Sequence, residues 1–263
     1  MNEIFNDIDK ETLKNVIEHN LDNFYIQSAA YPNFYSKISD KINWVYAKYS
    51  DWPSCIFKAN FKINSIENEI EKIKSLIIRN EAPNGWTVGP LTQPRNLGQY
   101  LENNGFSNVY HQSGMALKLN NIVNTPIISN KLKVNLVNNI EELKLWVNVV
   151  SSSFNIKIDL DFLRILLDDE NTRFYLGFSN KKNVSALILY LSAGVAGLHA
   201  VSTLNEFRGK GFGYNISRTA LIDAYKSGYQ IAVLQASNLG EVIYRKLGFK
   251  KYCDIYSYEL KDE

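Results

Sequence analysis

The sequence has little of what marks a disulfide-bonded, metal-binding or nucleic-acid-binding protein. Its only two cysteines, Cys55 and Cys253, lie far apart and outside any ligand motif, so we predict free thiols, no disulfide and no metal site. Unpaired thiols fit a reducing compartment. The net charge is only +2 and the lysines are interleaved with acidic residues, which gives no basic surface for nucleic acid or an anionic membrane.

Long hydrophobic runs are also missing. No apolar stretch approaches the length that spans a membrane, and the polar, acidic start of the chain is unlike a signal peptide. We therefore expect a cytoplasmic protein with no membrane partner. What the sequence does contain is 45% hydrophobic and 13% aromatic residues over 263 positions, enough for one large or two small globular domains.

The first half of the chain mixes predicted helices and strands. Apolar periodicity predicts the helices, over residues 9–27, 66–79 and 94–103. Alternation of apolar and polar residues predicts the strands, over residues 42–49, 55–61, 86–90 and 115–119. Residues 120–126 are polar and end in proline, so we place a domain boundary there, between domains 1–125 and 126–263.

The second half follows a similar pattern. The predicted strands cover residues 132–137, 173–178, 184–190, 195–203, 231–234 and 252–260. The predicted helices cover residues 140–150, 160–167 and 240–246, together with one that starts after Gly213. A hairpin before alternating strands and helices predicts the α/β class, an α+β layered sheet.

A glycine-rich turn stands out between the strand that ends at Thr203 and the helix after Gly213. In Arg208-Gly209-Lys210-Gly211-Phe212-Gly213 three glycines alternate with larger residues. Such a turn can present several backbone N–H groups at the positive end of a helix, where a phosphate binds. An ordinary glycine-rich connection without a ligand explains the turn alone equally well, because short glycine motifs are common.

Together with a second motif, this turn resembles the GNAT superfamily of acyl-CoA-dependent N-acyltransferases. The turn fits the family's Arg/Gln-x-x-Gly-x-Gly/Ala loop, and residues 234–249 fit a second block that ends in Tyr-x-x-Leu-Gly-Phe, here Tyr244 to Phe249. The two motifs occur in the family's order, joined by one helix and one strand. The resemblance covers roughly residues 126–263.

Residues 1–125 resemble the family more faintly. Residues 86–106 mirror the strand, helix and Gly-Phe of the second block, but Lys62-Ile63-Asn64 stands where the glycine loop would be. We therefore predict two GNAT-like units, each a mixed central sheet flanked by helices, of which the first is degenerate. An unrelated α+β domain is the alternative for this half.

The resemblance implies acetyl-CoA as the acyl donor. Its pyrophosphate would lie on the N–H groups of the turn, and its pantetheine arm along the strand before it. The implied donor-binding residues are Val201, Ser202, Thr203, Arg208, Gly209, Lys210, Gly211, Phe212 and Gly213. Ser237 is a further candidate, one position away from Asn238. Helix capping is its first interpretation and contact with the donor its second.

The resemblance also implies direct attack of an amine on the thioester. Tyr244 matches the family's tyrosine that protonates the leaving thiolate, and the Val201 N–H would stabilise the oxyanion. His199 is a candidate base because it lies on the same strand face as Val201 and titrates near neutrality, although a hydrogen-bonded histidine explains it as well. Glu206 in the turn and Asp159 or Asp161 are weaker candidates, and a chain of water molecules with no dedicated base is also common in such sites.

The predicted function is an N-acyltransferase that acetylates a primary amine of a small molecule or peptide, as a monomer or homodimer. Two alternatives stay open at this point. One is a regulatory acyl-CoA-binding module without turnover, which an intact loop and Tyr244 argue against. The other is a transferase that uses aminoacyl donors, which the intact loop disfavours.

Overall fold

One continuous sheet of eleven strands runs through the described part of the chain, which in this computed structural model comprises residues 4–32, 34–47 and 49–261. The α-helices are α1 (Lys10–Ser28), α2 (Ile66–Ile78), α3 (Leu97–Asn103), α4 (Ile140–Phe154), α5 (Leu160–Leu167), α6 (Phe212–Lys226) and α7 (Asn238–Leu247). The strands are β1 (Phe34–Lys37), β2 (Asn43–Ala47), β3 (Cys55–Phe57), β4 (Trp86–Val88), β5 (Phe106–Lys118), β6 (Lys133–Leu136), β7 (Thr172–Ser179), β8 (Lys182–Ser192), β9 (Val195–Thr203), β10 (Ile231–Ala236) and β11 (Lys250–Leu260).

The two halves of the chain exchange their last strands. The order in the sheet is β1-β2-β3-β4-β11-β5-β10-β9-β8-β7-β6. Strand β5 of the first half therefore pairs with β10 of the second half, and β11 of the second half pairs with β4 of the first. The mixed α/β class predicted from the sequence is confirmed. The boundary near residue 125 stays a prediction about two sequence units, which the sheet joins into one structure.

Helices cover both faces of this sheet. Along β10, Val233 packs in the cluster that contains α1, whereas Leu234 packs in the cluster that contains α6 and α7. Because successive side chains of a strand point to opposite faces, α1 lies on one face, and α6 and α7 lie on the other. By the same alternation α4 and α5 share the face of α1, while α2 and α3 share that of α6 and α7. No helix in these described ranges is both long and apolar enough to cross a membrane.

Most predicted elements are present, and two differences concern β1 and β5. Strand β1 was not predicted, and β5 begins at Phe106 rather than at residue 115. Residues 107–112 are mostly polar and carry no strand pattern of their own. They are extended because β11 pairs with them in an antiparallel ladder, so the exchange of strands decides their conformation.

Each half contains one pair of parallel neighbouring strands, and in the first half backbone hydrogen bonds bridge the gap beyond the end of that pair. Strands β3 and β4 are parallel neighbours, as are β9 and β10, and a residue with positive φ follows the last paired positions in each half, Lys58 (φ 53°) and Ala200 (φ 49°). In the first half the chain then pairs across the gap, since Gln93 N–H donates to Ala59 O (2.8 Å) and Phe61 N–H donates to Gln93 O (2.9 Å). This closure agrees with a degenerate first unit.

Two buried carboxyl groups of α1 face the first half. Glu18 accepts a hydrogen bond from the Leu91 N–H through Oε2, while its Oε1 and both oxygens of Asp22 have no partner among the described residues. Burial raises the pKa of Glu18 to about 7 and that of Asp22 well above its usual value. The ionised forms are therefore disfavoured in the folded protein.

We expect the protein to lose stability between pH 4.5 and pH 8 partly because of Glu18. Its folded pKa of about 7 lies above the unfolded value of 4.5, so the unfolded state releases the proton first. The decrease in the free energy of unfolding begins as the pH rises above 4.5, is complete above about 7, and amounts to roughly 3 kcal/mol. In urea titrations at both pH values, Glu18→Gln should reduce this loss and the exposed-site control Glu67→Gln should not. An equal loss in wild type and Glu18→Gln would contradict the assignment.

Candidate active site

The sheet opens between β9 and β10. Their parallel pairing ends at Leu198 and Leu234, although β9 continues to Thr203 and β10 to Ala236. At the far end of β9 the Leu204 N–H donates to Val184 O on the β8 side. Since the backbone groups of a strand alternate between its two edges, those of Val201 and Thr203 face the opening.

Ser202 is oriented differently from its neighbours. It pairs with Ala186 of β8, so its backbone groups face β8 and not the opening. Its side chain is buried, and its Oγ has no partner among the described residues. Any contact of Ser202 with a ligand would therefore use the hydroxyl group.

The glycine turn places bare backbone at the start of α6. Gly209 and Gly211 have φ values of 75° and 78°, which glycine adopts most readily. A Cβ on Gly209 would meet no atom within 4 Å, and no side chain caps α6. The first N–H groups of a helix have no intrahelical partners, and here they lie at the positive end of the helix dipole. This arrangement fits a phosphate group.

The two cations of the turn fold back onto it. The Arg208 guanidinium donates from Nε to Thr203 O (3.2 Å) and from Nη2 to Ser153 O in α4 (3.4 Å). Lys210 Nζ donates to Glu206 O (2.9 Å) and lies over the Phe207 ring. Both side chains hold the shape of the turn in this geometry, and both leave positive charge beside it.

Helix α7 forms the other side of the opening. Ser237 caps it by accepting a hydrogen bond from the Gly240 N–H (3.1 Å), which is the first of the two predicted roles. Tyr244 is buried, and burial together with the nearby Tyr110 phenol raises its pKa, so the phenol keeps its proton at neutral pH. Ile243 reaches the turn, since a Cβ on Gly213 would lie 3.4 Å from its Cδ1. The end of β9, the turn and α7 therefore meet.

His199 is enclosed between α1 and the sheet. Its Nε2 lies 2.9 Å from Asn20 Oδ1, and its ring stacks on Phe24 at 5.0 Å. The Asn20 amide nitrogen donates to Tyr190 O and Ser192 O, so the amide oxygen faces His199 and the proton belongs on Nε2. Burial lowers the pKa of His199 to about 4. This geometry fits the alternative interpretation, a hydrogen-bonded histidine, better than a base that must keep a proton near neutral pH.

The close contact of Asn20 and His199 requires glycine at position 197. A Cβ there would lie 1.8 Å from Asn20 Oδ1 and 2.7 Å from His199 Nε2. We expect Gly197→Ala to destabilise the protein by about 3 kcal/mol, because the buried network must shift. Calorimetry should show a lower melting temperature than for Gly85→Ala, whose Cβ would make only an ordinary contact at 3.6 Å. Equal melting temperatures would show that the network adapts without cost.

The sequence predicted that the first half could shape the acceptor site, but not that β5 is the strand that contributes to it. Pairing of β5 with β10 ends at Ser113 opposite Ala236, and residues 106–112 continue past the end of β10. Gln112 Nε2 donates to Gln235 O (3.4 Å), and Ser113 Oγ donates to Glu241 Oε2 of α7 (2.6 Å). The only sequence signal was the faint internal repeat, which does not reveal an exchange of strands.

The fold and the opening beside the glycine turn define a GCN5-related N-acetyltransferase fold in tandem arrangement, which confirms the resemblance at the level of the fold. The chain is similar to a GCN5-related N-acetyltransferase from Kribbella flavida (TM-score 0.72, 14% identity, covering 95% of this chain and 96% of that one). It is also similar to one from Sphaerobacter thermophilus (TM-score 0.62, 12% identity, covering 86% and 82%). A tandem GNAT protein from the clavulanic acid biosynthesis pathway is similar as well (TM-score 0.59, 10% identity, covering 92% and 89%).

Comparison of the sequence alone detects no such relatives. No protein-family model matches it, and no curated protein sequence matches it. At identities of 10–14% the structural similarity shows the fold and leaves the substrates open.

Proposed function

We propose that this protein is an N-acyltransferase that moves an acetyl group from acetyl-CoA to a primary amine. The observation that carries the proposal is the opening between β9 and β10 that leads to the uncapped start of α6. A pantetheine arm is an extended chain with amide groups, so it can pair with a free strand edge. A pyrophosphate suits glycine N–H groups at a helix start. The opening and the turn are adjacent, as a single acyl-CoA requires.

In this proposal the backbone of the turn holds the pyrophosphate. The N–H groups of Gly209, Lys210, Gly211, Phe212 and Gly213 point toward it, and Arg208 adds charge and fixes the turn. Val201 and Thr203 pair with the pantetheine amides, although Thr203 O already accepts from Arg208, which leaves Val201 as the main partner. Ser202 and Ser237 would contact the donor only through their hydroxyl groups, and Ser237 does so only if it also keeps its capping bond.

The chemical step uses two groups of this chain. A neutral amine attacks the thioester carbonyl, and the Val201 N–H donates to the oxyanion that forms. The C–S bond then breaks, and Tyr244 donates its phenolic proton to the leaving sulfur. The amine proton passes to solvent, because the low pKa of His199 makes it a poor acceptor. His199 then acts through its hydrogen bond to Asn20, which keeps α1 against β9.

The acceptor cleft lies where residues 106–112 of β5 pass the carboxyl end of β10, and ligands of open α/β sheets bind at such ends. We propose that a small-molecule or peptide amine enters there and that the protein works in the cytoplasm as a monomer or homodimer. The exchanged strands already supply, within one chain, the wall that a second subunit could provide.

An amine panel tests the proposal. Amino acids, polyamines, aminoglycosides and peptides are each incubated with acetyl-CoA, and release of free CoA thiol is followed. We expect release with at least one amine class and none without protein. A second candidate, an acyl-CoA-binding module without turnover, is favoured if acetyl-CoA raises the melting temperature but no amine releases thiol. Absence of both effects would refute the donor site.

A further inference from the structure

We propose that the first half carries a second ligand site, for a small aromatic carboxylate, in a cleft at the carboxyl end of β4. The cleft has a volume of about 450 Å³ and lies between α3, β11 and the start of α1. Val88 and Pro90 line it, together with Tyr252 and Tyr256 of the neighbouring strand. The proposal does not depend on the chemistry of the other site.

The strand exchange makes this cleft the counterpart of the acceptor cleft. Strand β4 is parallel to β3 and followed by α3, as β10 is parallel to β9 and followed by α7. Strand β11 runs beside β4 in the way that β5 runs beside β10, with antiparallel pairing. Parallel strand pairs of this kind bind ligands at their carboxyl ends. The fold thus builds the same kind of cleft twice, and because β4 and β10 run in opposite directions the two clefts lie at opposite ends of the strands.

The ligand of the second cleft must be smaller than an acyl-CoA. The backbone bonds between Gln93 and residues Ala59 and Phe61 close the gap into which a pantetheine arm would enter. The residues before α2 also lack the glycines that a pyrophosphate needs. A volume of about 450 Å³ remains, which is in the range of small-molecule sites.

Arg95 determines which ligand charge the cleft favours. Its Nη1 donates to Pro90 O, and none of the described residues accepts a hydrogen bond from its Nε or Nη2. The other charges of the cleft are paired, because Lys14 binds Glu11 (2.6 Å) and Asp254 binds Lys251 (2.5 Å) and His111. One exposed guanidinium with free donors suits a single carboxylate, which it can bind with two hydrogen bonds. A phosphate dianion would need more positive charge than the cleft offers.

The remaining lining favours an aromatic body on that carboxylate. Tyr252, Tyr256 and Tyr258 line the cleft, and aromatic rings pack well against such surfaces. Asn96 and Gln99 add amide groups to the lining, which can bind a polar substituent of the ring.

Benzoate serves as the probe, with the full-length protein and no acetyl-CoA. We expect millimolar or tighter binding by NMR titration, with shift changes at Tyr252 and Tyr256, and at least tenfold weaker binding to Arg95→Gln. Arg79→Gln, which removes an exposed arginine paired with Glu81 on another surface, should bind like wild type. Cyclohexanecarboxylate should bind more weakly than benzoate if the tyrosines select aromatic rings.

Three results would overturn the proposal. They are no benzoate binding to wild type, equal binding to wild type and Arg95→Gln, or preference for inorganic phosphate over benzoate. Failure of the amine panel would leave this test untouched, since benzoate binding is read without any transfer reaction.

Discussion

Gly209→Asp should weaken acetyl-CoA binding by about 100-fold while the fold is kept. The new carboxylate would stand at the proposed pyrophosphate position, and a Cβ there meets no protein atom within 4 Å, so the protein itself has room for it. The lost affinity corresponds to ~2.7 kcal/mol, the size expected for removing charge-assisted hydrogen bonds and adding a like charge. Isothermal titration calorimetry with acetyl-CoA measures the change.

Gly228→Asp is the matched control. Gly228 also has positive φ (94°), is exposed, and lies after the other end of α6. Aspartate tolerates this backbone conformation better than most residues, so the strain is similar at both positions. Wild-type affinity in Gly228→Asp with loss in Gly209→Asp would isolate the effect of the turn. Unchanged affinity in Gly209→Asp would remove the turn from the donor site.

Tyr244→Phe should lower kcat about 100-fold and change the acetyl-CoA affinity less than threefold. The substitution removes only the phenolic hydroxyl group, and general acid catalysis by one side chain contributes roughly this factor or more. The ring still packs on Phe249 and beside Gly240, so the fold and the donor site should be retained. Thiol release at saturating amine gives kcat, and calorimetry gives the affinity.

Tyr100→Phe on α3 is the control, because it removes a phenol in the first half, away from the glycine turn. Equal kcat for Tyr244→Phe and wild type would exclude Tyr244 as the acid. The pH dependence gives a second criterion. Since burial raises the pKa of Tyr244, its ionisation should not limit the rate below pH 9.

The sequence predicts the second half of the protein better than the first. The glycine turn, the strand before it and the Tyr244 helix are recognisable because each rests on local requirements. Gly209 and Gly211 are needed for positive φ, and Ser237 for a cap. These requirements depend only on residues within a few positions in the chain, so they can be recognised from the sequence pattern.

His199 shows where such prediction ends. Its position two residues before Val201 and its usual pKa suggested a base, but its surroundings come from Asn20 and Phe24, far away in the sequence. Burial by those residues lowers its pKa to about 4. Desolvation depends on every group that packs around a side chain, and no spacing rule reveals it.

The sequence by itself thus determined the glycine turn, the elements around it and the GNAT resemblance of residues 126–263. Tertiary structure alone decided that β5 and β11 change places, that Tyr110 and Gln112 lie at the site of the second half, and that Gln93 closes the gap in the first. The physical reason is the range of the interactions. Helix caps and positive-φ turns depend on neighbours in the chain, whereas strand partners depend on which ladders bury the most backbone and apolar surface in the complete sheet.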